Sequence, residues 1–428
     1  MTEVLFVSLF LLVSLSLFAV AAATLWWMLH AWRTPDVLSG TGFGVEGGAT
    51  PRHSFSLLVP ARHEDAVLGE TLDRLAQLDH PDYEVLVVIG HDDHDTRAVA
   101  DAAAARWPDQ VRVVTDENWP KNKPKALNTA LPQCRGDVVG VFDAEDEVDR
   151  RLLRQVDACF STTGADVVQG GVQLVNFQSN WYSLRNCLEY FFWFRSRLHL
   201  HAEHRFIPLG GNTVFVRREV LASVGGWDPE CLAEDCELGV RLSALGANVV
   251  VAYDPTLVTR EETPGSLGAL FRQRTRWNQG FLQVLRKGAW RSLPTRRQRA
   301  LARYTLAMPF LQAFSGVVVP LSLATMLFVD VPVALALLSF LPIVPTLTTL
   351  ACELVGLRDF TRLYYVRARR RDYLVLILGT FPYQLVLAGA ALRAVYREIL
   401  GVRSWEKTAH VGAHRPAVAL GDMAELTR

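Results

Sequence analysis

Short apolar runs alternate with longer segments of mixed polarity from residue 54 onwards. The apolar runs predict strands and the mixed segments predict helices: strands over 54–60, 83–90, 111–115 and 137–143, helices over 65–78, 95–106 and 121–133. Strands that are apolar on both faces and alternate with helices are typical of a parallel α/β sheet. Ligands of such sheets lie beyond the carboxyl ends of the strands. This predicts a common site formed by residues 60–64, 91–95 and 143–145.

The first apolar stretch predicts a membrane anchor. Residues 4–29 have no charged side chain, are long enough to cross a bilayer and exceed the core of a signal peptide in length. We therefore assign residues 1–33 to an N-terminal transmembrane helix and residues 34–53, rich in Gly, Thr and Pro, to a linker. Glu3 precedes the apolar stretch and Arg33 follows it, so the positive-inside rule places the chain after the helix in the cytoplasm.

The C-terminal third of the chain predicts further membrane contact. Residues 281–303 are basic around Trp290 and predict an amphipathic interfacial helix. Residues 304–356 contain two apolar runs and predict two transmembrane helices. Residues 357–428 begin with a basic loop, and the apolar run 373–392 within them has basic residues on both flanks. A re-entrant or interfacial segment fits these flanks better than a third C-terminal crossing, and the chain is expected to be a multi-pass protein of the cell membrane.

Net charge and cysteine spacing narrow the class of protein. The formal net charge of zero excludes a bulk attraction to nucleic acid, so no nucleic-acid partner is expected. The six cysteines show neither paired nor zinc-type spacing, which favours reduced thiols.

Residues 179–204 are aromatic and basic at helical spacing, and this pattern fits a core helix and a helix on the membrane surface equally well.

Two acidic sites follow one another along the chain. Asp143 and Glu145 come at the end of a predicted strand, where two carboxylates can share Mg²⁺ or Mn²⁺ and so neutralise a diphosphate leaving group. A solvated acidic loop is the alternative. Glu234 and Asp235 open a segment with helical spacing, where they either complement the helix dipole or supply a general base that takes a proton from a hydroxyl.

Basic and aromatic residues complete the candidate chemistry. Gln273, Arg276 and Trp277 share one face of a predicted helix over 266–280. A guanidinium can fork onto phosphate oxygens, and an indole can stack on a sugar ring. The Lys-rich segment 121–128 begins another predicted helix and is either a phosphate site or surface charge.

The order of six motifs resembles the processive, membrane-integrated family 2 glycosyltransferases, the group that includes cellulose, hyaluronan and poly-N-acetylglucosamine synthases. The matching motifs are VPARHED (59–65), KPKALN (123–128), FDAED (142–146), GGNTVFVRREVLASVGGWDP (210–229), AEDCELGVRL (233–242) and QRTRW (273–277). The resemblance implies an α/β fold with a Rossmann-like glycosyltransferase-A cytoplasmic domain over residues 54–280, plus transmembrane helices. It also implies an inverting mechanism, a UDP-sugar donor and Mg²⁺ or Mn²⁺ as cofactor.

The resemblance carries roles onto individual residues. The donor nucleotide would be contacted by Pro60, Ala61, Glu64, Asp92, Lys123, Asp143 and Arg276. The metal would be held by Asp143 and Glu145. Asp235 would be the catalytic base, with Glu234 beside it. The acceptor would be contacted by Gly211, Asn212, Gln273 and Trp277. The segment SWEKTAH (404–410) resembles the gating segment of the family, with Trp405, Lys407 and Thr408 as its contact residues.

Three positions depart from the family pattern. Glu145 stands where Asp is usual in the metal motif, Ala233 stands where Thr is usual before the acidic pair, and Asp92 follows its strand two residues later than the usual uracil-binding acid. The resemblance therefore leaves the uracil contact open.

The expected function is processive transfer of a sugar from UDP to a growing polysaccharide at the cytoplasmic membrane face. The alternatives are a single addition to a lipid-linked or short glycan acceptor and a membrane scaffold without catalysis. The expected partners are the UDP-sugar, the glycan or lipid-linked acceptor and the bilayer. A homo-oligomer or an accessory subunit is a further expectation, because three or four crossings make a narrow channel.

Overall fold

The computed structural model of the chain describes residues 2–30, 32, 50–328, 333, 337, 341–406 and 411–415. Most of the predicted linker over 34–53, together with Lys407 and Thr408 of the predicted gating segment, lies outside the described residues.

Seven strands form one mixed sheet and two form a small ribbon. The strands are Phe55–Ala61 (β1), Tyr83–Gly90 (β2), Val111–Asp116 (β3), Val138–Val141 (β4), Val167–Gly170 (β5), Val172–Leu174 (β6), Val214–Arg217 (β7), Val249–Ala252 (β8) and Thr259–Glu261 (β9). The order in the large sheet is β3-β2-β1-β4-β7-β5-β8. The four predicted strands pair in parallel, as expected, whereas β7 runs antiparallel to both β4 and β5, so the sheet as a whole is mixed.

Fifteen α-helices can be named among the described residues. They are Thr2–His30 (α1), Leu68–Leu75 (α2), His94–Arg106 (α3), Lys123–Ala130 (α4), Leu152–Thr163 (α5), Ser183–Phe192 (α6), Leu198–Glu203 (α7), Arg218–Ser223 (α8), Glu234–Ala244 (α9), Leu267–Lys287 (α10), Arg296–Leu306 (α11), Met308–Phe328 (α12), Ile343–Leu363 (α13), Arg370–Leu378 (α14) and Thr380–Ile399 (α15). The predicted strands and helices of residues 54–133 are confirmed to within a few residues.

The central strands are buried on both faces, as the apolar runs predict. Along β1, Leu57 and Val59 pack with one set of helices, while Leu58 between them packs on the opposite side. All three side chains are fully buried. Because successive side chains of a strand point to opposite faces, this alternation requires a helix layer on each side of the sheet.

Segment 179–204, for which the sequence left a core helix and a membrane-surface helix open, packs in the core. Cys187, Leu188 and Phe191 are almost completely buried and pack in the same cluster as the sheet. A π-helical turn, Trp193–Arg197, separates α6 from α7. The aromatic spacing therefore reflects packing between the sheet and the C-terminal helices.

The prediction of one amphipathic helix over 281–303 was wrong. Helix α10 continues to Lys287 and ends at Gly288, whose φ of +81° is the left-handed conformation that glycine adopts readily. A 3₁₀ turn, Ala289–Ser292, follows. Helix α11 then begins at a capping box in which the Thr295 side chain accepts from the backbone N–H of Gln298.

Within the described residues, one helix is long and apolar enough to cross a membrane by itself, Leu11–His30. Two bent pairs meet the same measure only when each pair is counted as one span: Arg296–Leu306 with Met308–Leu321, bent by 47°, and Arg370–Leu378 with Thr380–Ile399, bent by 49°. The predicted crossing over 331–356 lies partly outside the described residues. Its described helix, α13, extends into the charged residues 358–362. The multi-pass topology stays a prediction.

Candidate active site

Three loops lie side by side at one end of the central strands. Strands β1 and β4 are parallel neighbours with Leu58 opposite Val141, so the chain after Ala61 and the chain after Phe142 emerge side by side. Strand β7 enters at the same end in the opposite direction, and the Thr213 backbone N–H donates to the Val141 carbonyl at 2.7 Å. Residues from all three loops line a cleft of about 830 Å³.

Most of the predicted site residues line this cleft. They are Pro60, Ala61, Glu64, Lys123, Asp143, Glu145, Gly211, Asn212, Glu234, Asp235, Gln273, Arg276, Trp277 and Trp405. The structure thus brings together residues that are more than 300 positions apart in the sequence. The one predicted and described site residue outside this set is Asp92.

Four motifs meet at the Lys123 ammonium group. It forms an ion pair with Asp143 and donates to the Gly211 carbonyl at 2.8 Å. A Cβ atom added at Gly211 would lie 3.2 Å from Oδ2 of Asp235 and 3.7 Å from Nζ of Lys123. Helix α4 positions the lysine at its first residue, where the Asn122 side chain caps the helix by accepting from the Lys125 backbone N–H at 3.0 Å.

The Glu234–Asp235 pair lies in the first turn of α9, where Glu234 is buried and Asp235 is half-buried. Burial and the neighbouring Asp235 carboxylate raise the pKa of Glu234 to about 7, although Lys123 opposes the change. Burial also raises the pKa of Asp235, and a hydrogen bond from the Cys236 backbone N–H at 2.7 Å opposes it. A carboxyl pair that exchanges a proton near neutral pH is suited to general-base work.

Lys123 itself stays positively charged. Burial alone would lower the pKa of Lys123, but the surrounding carboxylates of Asp143, Glu234 and Asp235 outweigh it and raise the pKa. A fixed cation beside these acids can attract a phosphate group.

Asp143 and Glu145 form an acidic loop that a third carboxylate supports. Asp146 is fully buried and accepts hydrogen bonds from the Asp143 backbone N–H at 2.9 Å and from the Asn212 side chain at 3.0 Å. Burial, followed by the nearby Glu261 and Asp143 charges, raises the pKa of Asp146. Asp146 therefore holds the loop in place.

The donor set fits a divalent cation in part. Among the residues described, no group of three or more His, Cys, Asp and Glu side chains is arranged to hold a metal. Two carboxylates, Asp143 and Glu145, are nevertheless sufficient for a cation such as Mg²⁺ when phosphate oxygens and water supply its other ligands. The Glu145 side chain is longer than the Asp usual at this position, but it supplies the carboxylate oxygen that such a cation requires.

The QRTRW helix supplies the basic and aromatic wall. Gln273, Arg276 and Trp277 of α10 all line the cleft, as their shared helix face predicts. The Arg276 guanidinium lies 4.4 Å from the centre of the Trp405 ring. The Trp277 ring lies 6.3 Å from the ring of Tyr190. Trp277 and Tyr190 form an aromatic surface beside the acids.

A close helix contact fixes α10 against the acidic pair. A Cβ atom on Gly280 would lie 2.6 Å from the backbone nitrogen and 2.4 Å from Cβ of Ala233. One turn further along α10, the buried Gln283 side chain accepts from the Leu232 backbone N–H at 2.8 Å. The small residues at 233 and 280 therefore set the distance between the acids of α9 and the QRTRW face.

Asp92 does not line the cleft itself, but its partner does. The Asp92 carboxylate accepts two hydrogen bonds from the Arg62 guanidinium, at 3.1 and 3.0 Å, and Arg62 lowers the pKa of Asp92 to about 2. Arg62 lines the cleft, as do Lys121 of the predicted Lys-rich segment and Asp116, the last residue of β3. Sequence reasoning missed Asp116, although the carboxyl end of β3 was the available signal.

The C-terminal segment folds over the site. Glu406 pairs with Arg393 at 2.6 Å and with Arg397 at 3.1 Å, which fixes the neighbouring Trp405 to α15. Further along, the Val411 and Ala413 backbone N–H groups donate to the Glu262 carboxylate, at 2.6 and 2.5 Å.

Arg415 completes this cover. Its guanidinium donates to the Glu145 carbonyl at 3.1 Å and to the Thr71 hydroxyl at 2.6 Å. The segment 411–415 thus contacts the backbone of the metal-type loop.

Comparisons with known proteins place this site in a family. A family model described as "Glycosyltransferase like family 2" matches residues 51–280, more than half of the chain. The beta-monoglucosyldiacylglycerol synthase of Synechocystis sp. is 31% identical over 260 residues, which cover 58% of this chain and 51% of that protein. The poly-beta-1,6-N-acetyl-D-glucosamine synthase of Staphylococcus epidermidis is 23% identical over 261 residues, which cover 59% of each chain.

This chain thus spans between half and three fifths of the length of those two relatives. Among solved structures, the mannosyltransferase PcManGT of Pyrobaculum calidifontis, in complex with GDP-Man and Mn²⁺, matches with a TM-score of 0.55 at 16% identity. The match covers 92% of this chain and 99% of that chain, and it shows a shared fold. The family match over residues 51–280 and the agreement in fold lead to one conclusion: the chain belongs to the family 2 glycosyltransferases.

Proposed function

We propose that the chain moves one sugar from a UDP-sugar to a hydroxyl group of a lipid acceptor at the cytoplasmic membrane face, with inversion at the anomeric carbon. The observation that carries the proposal is the course of the cleft. It extends from Asp235 past Trp277 to side chains of the N-terminal helix, Trp27 and Met28. An acceptor with an apolar body can therefore reach the acids from the membrane side.

The lining of this membrane-side arm supports a lipid acceptor. It is built mainly from large apolar and aromatic side chains of α1, the end of α6, the π-helical turn and the C-terminal helices: Trp27, Met28, Phe192, Trp193, Tyr304, Met308 and Leu387. Apolar lining with a few polar groups is typical of sites that bind apolar ligands. The relative in Synechocystis sp. is named a synthase of a glucosyl diacylglycerol, which agrees with this acceptor class.

The proposed chemistry is a single displacement. Asp235 takes the proton of the acceptor hydroxyl as that oxygen bonds to the anomeric carbon, while the bond from this carbon to the diphosphate oxygen breaks. UDP leaves with the bonding electron pair. Lys123 and Arg276 stabilise the charge that grows on the diphosphate.

The acidic loop would add a cation to this site. Asp143 and Glu145 would hold Mg²⁺ or Mn²⁺, which supplies further neutralisation of the diphosphate when bound. Asp143 would then exchange its contact with Lys123 for the cation, which leaves the ammonium group available to phosphate oxygens.

The experiment is a transfer assay with a panel of radiolabelled UDP-sugars, membranes that contain the protein, and either Mg²⁺ or Mn²⁺. We expect label to move into the organic phase as a lipid with one added sugar. Label that stays in the aqueous phase with every donor would contradict the proposal.

Processive synthesis is the second candidate, and the aromatic surface of Trp277 and Tyr190 is the observation that favours it. Such a surface suits a sugar ring of a growing glycan. The relative in Staphylococcus epidermidis, named a polysaccharide synthase, agrees with this candidate. A ladder of products that lengthens with time would select it, whereas a single product would select the lipid acceptor.

A further inference from the structure

An arginine lies in the membrane-side arm between two tryptophans. Arg197 ends the π-helical turn Trp193–Arg197 and lines the cleft. Its guanidinium carbon lies 5.0 Å from the centre of the Trp27 ring and 5.1 Å from that of Trp193. Both contacts are cation–π interactions, which hold the guanidinium in one place without neutralising its charge.

Three other buried or half-buried arginines have carboxylate partners. Arg185 pairs with Glu353 at 2.6 Å, Arg241 pairs with Glu237 at 2.7 Å, and Arg274 pairs with Glu189. Within the part of the chain that the structure describes, Arg197 has no ion pair, and its Nε atom is buried without a hydrogen-bond partner. Burial lowers the pKa of Arg197 to about 10, so the group stays protonated at neutral pH.

A half-buried cation without an anion carries part of the cost of a desolvated charge, which makes Arg197 a candidate for an anionic ligand. The position of the site indicates which anion is available. Trp27 lies in the last turn of α1, the helix that can cross a membrane. Tryptophans at the ends of such helices lie at the level of lipid headgroups. Lipid phosphates are found at this level, and guanidinium groups match phosphate geometry.

We propose that Arg197 binds the phosphate group of an anionic membrane lipid whose acyl chains extend along α1. Trp27 and Trp193 form the two walls of this phosphate site. The site lies in the same cleft as the acids but does not depend on sugar transfer, so it goes beyond the function proposed above.

The test uses the full-length protein in a neutral detergent without phosphate groups. Thermal unfolding is measured while dioctanoyl phosphatidic acid, dioctanoylglycerol or inorganic phosphate is added. We expect saturable stabilisation by dioctanoyl phosphatidic acid, and binding at least about tenfold weaker in Arg197→Gln, because the pair of charges is lost. Dioctanoylglycerol lacks the phosphate and inorganic phosphate lacks the acyl chains, so both are expected to bind more weakly than the intact lipid.

Arg195→Gln is the matched control. Arg195 belongs to the same π-helical turn and lies 5.4 Å from the Phe191 ring, but it does not line the cleft. Its variant should bind the lipid as the wild type does. Arg197→Lys keeps the charge and should recover part of the affinity, which guards against a Gln variant that fails to fold.

Four outcomes would overturn the proposal. Unchanged lipid affinity in Arg197→Gln would reject the guanidinium as the ligand of the phosphate. Equal affinity for dioctanoylglycerol and the phosphate lipid would reject a role of the phosphate. Loss of binding in Arg276→Gln in place of Arg197→Gln would locate the phosphate at the donor site, and inorganic phosphate that binds as tightly as the lipid would reject a lipid ligand. None of these measurements involves turnover, so a failed transfer assay leaves the result intact.

Discussion

At the scale of single residues, the acidic pair determines how the enzyme responds to pH. Burial and Asp235 raise the pKa of Glu234 to about 7, and burial raises that of Asp235 as well. Both shifts are upward, so the pair retains a proton until the pH approaches neutrality. A base must be ionised to accept a proton, and we therefore expect kcat/KM to fall as the pH is lowered through the raised pKa of Asp235.

Glu234→Gln tests this coupling. The variant removes a like charge beside Asp235, so Asp235 should lose its proton at lower pH, and the acid limb of the pH–rate profile should move in the same direction. The profile of kcat/KM from pH 5 to pH 9 is the measurement. A limb that keeps its position would show that the two carboxyl groups titrate independently.

Glu145 is expected to contribute to metal-dependent donor binding. Glu145→Gln removes one of two charged oxygen ligands and should weaken UDP binding in Mn²⁺ by at least about tenfold, since even outer-shell partners of metals contribute this much. Asp149→Asn is the control, because Asp149 pairs with Arg151 at 2.9 Å and does not line the cleft. Calorimetry with and without Mn²⁺ is the measurement, and equal effects of both variants would contradict the assignment.

At the residue level, motifs identify side chains that share a cleft, whereas their pairing depends on the tertiary structure. The placement of Lys123, Asp143 and Asp235 around one cleft agrees with their motifs. Asp92 was selected because it follows a strand, and the structure pairs it with Arg62, which lines the cleft. That pairing is not encoded in local spacing, and the nucleotide contact of Asp92 stays a prediction.

At the scale of elements, the contact between α10 and the start of α9 controls the site. Gly280→Ala would place a methyl group 2.6 Å from the Ala233 backbone nitrogen, so α10 must move. We expect a loss of about 1–3 kcal/mol in the free energy of unfolding, as for other overpacked sites. Turnover should also fall, because Arg276 and Trp277 move with the helix.

Gly268→Ala is the matched control for this prediction. It changes a glycine of the same helix where the added methyl group would meet only the Arg272 guanidinium at 3.5 Å. The control should be neutral or slightly stabilising, since Ala favours helix over Gly. Thermal unfolding and initial rates of both variants are the measurements, and a Gly280→Ala enzyme with normal rates would contradict the role of this contact.

Local sequence patterns predict where strands lie better than they predict which strands pair with each other. The run YEVLVVIG predicts β2 over 83–90, and the structure has the strand with the same bounds. The antiparallel strand β7 lies between β4 and β5, which precede it by many residues, and no local pattern gives such long-range pairing. The break of the predicted helix 281–303 had a local signal in Gly288, but the continuing basic and apolar pattern hid it.

At the scale of the whole molecule, the catalytic domain and the N-terminal helix form one cleft. Trp27 lines this cleft and stacks on His201 at 5.3 Å between ring centres, whereas the adjacent Trp26 is 58% exposed. We expect Trp27→Ala to raise KM for a lipid acceptor by about tenfold, the effect of losing an aromatic contact of 1–2 kcal/mol. UDP affinity should be unchanged.

Trp26→Ala controls for a general disturbance of the helix. It should leave both constants near their wild-type values, because its side chain points away from the cleft wall. Equal effects of the two variants on acceptor KM would show that the membrane-side arm does not hold the acceptor. The number of membrane crossings stays a prediction, and the bends at Ala307 and Gly379 divide apolar runs that appear continuous in sequence.

The central claim is that Asp235 is the base of a transfer site assembled from distant motifs. The most direct measurement combines UDP binding and single-turnover transfer for Asp235→Asn, which preserves the size of the side chain and removes its basicity. We predict that UDP affinity is not weakened, because the substitution removes a negative charge beside Lys123, and that the transfer rate is lower by about 10²–10⁴. Near-normal transfer by this variant would contradict the account.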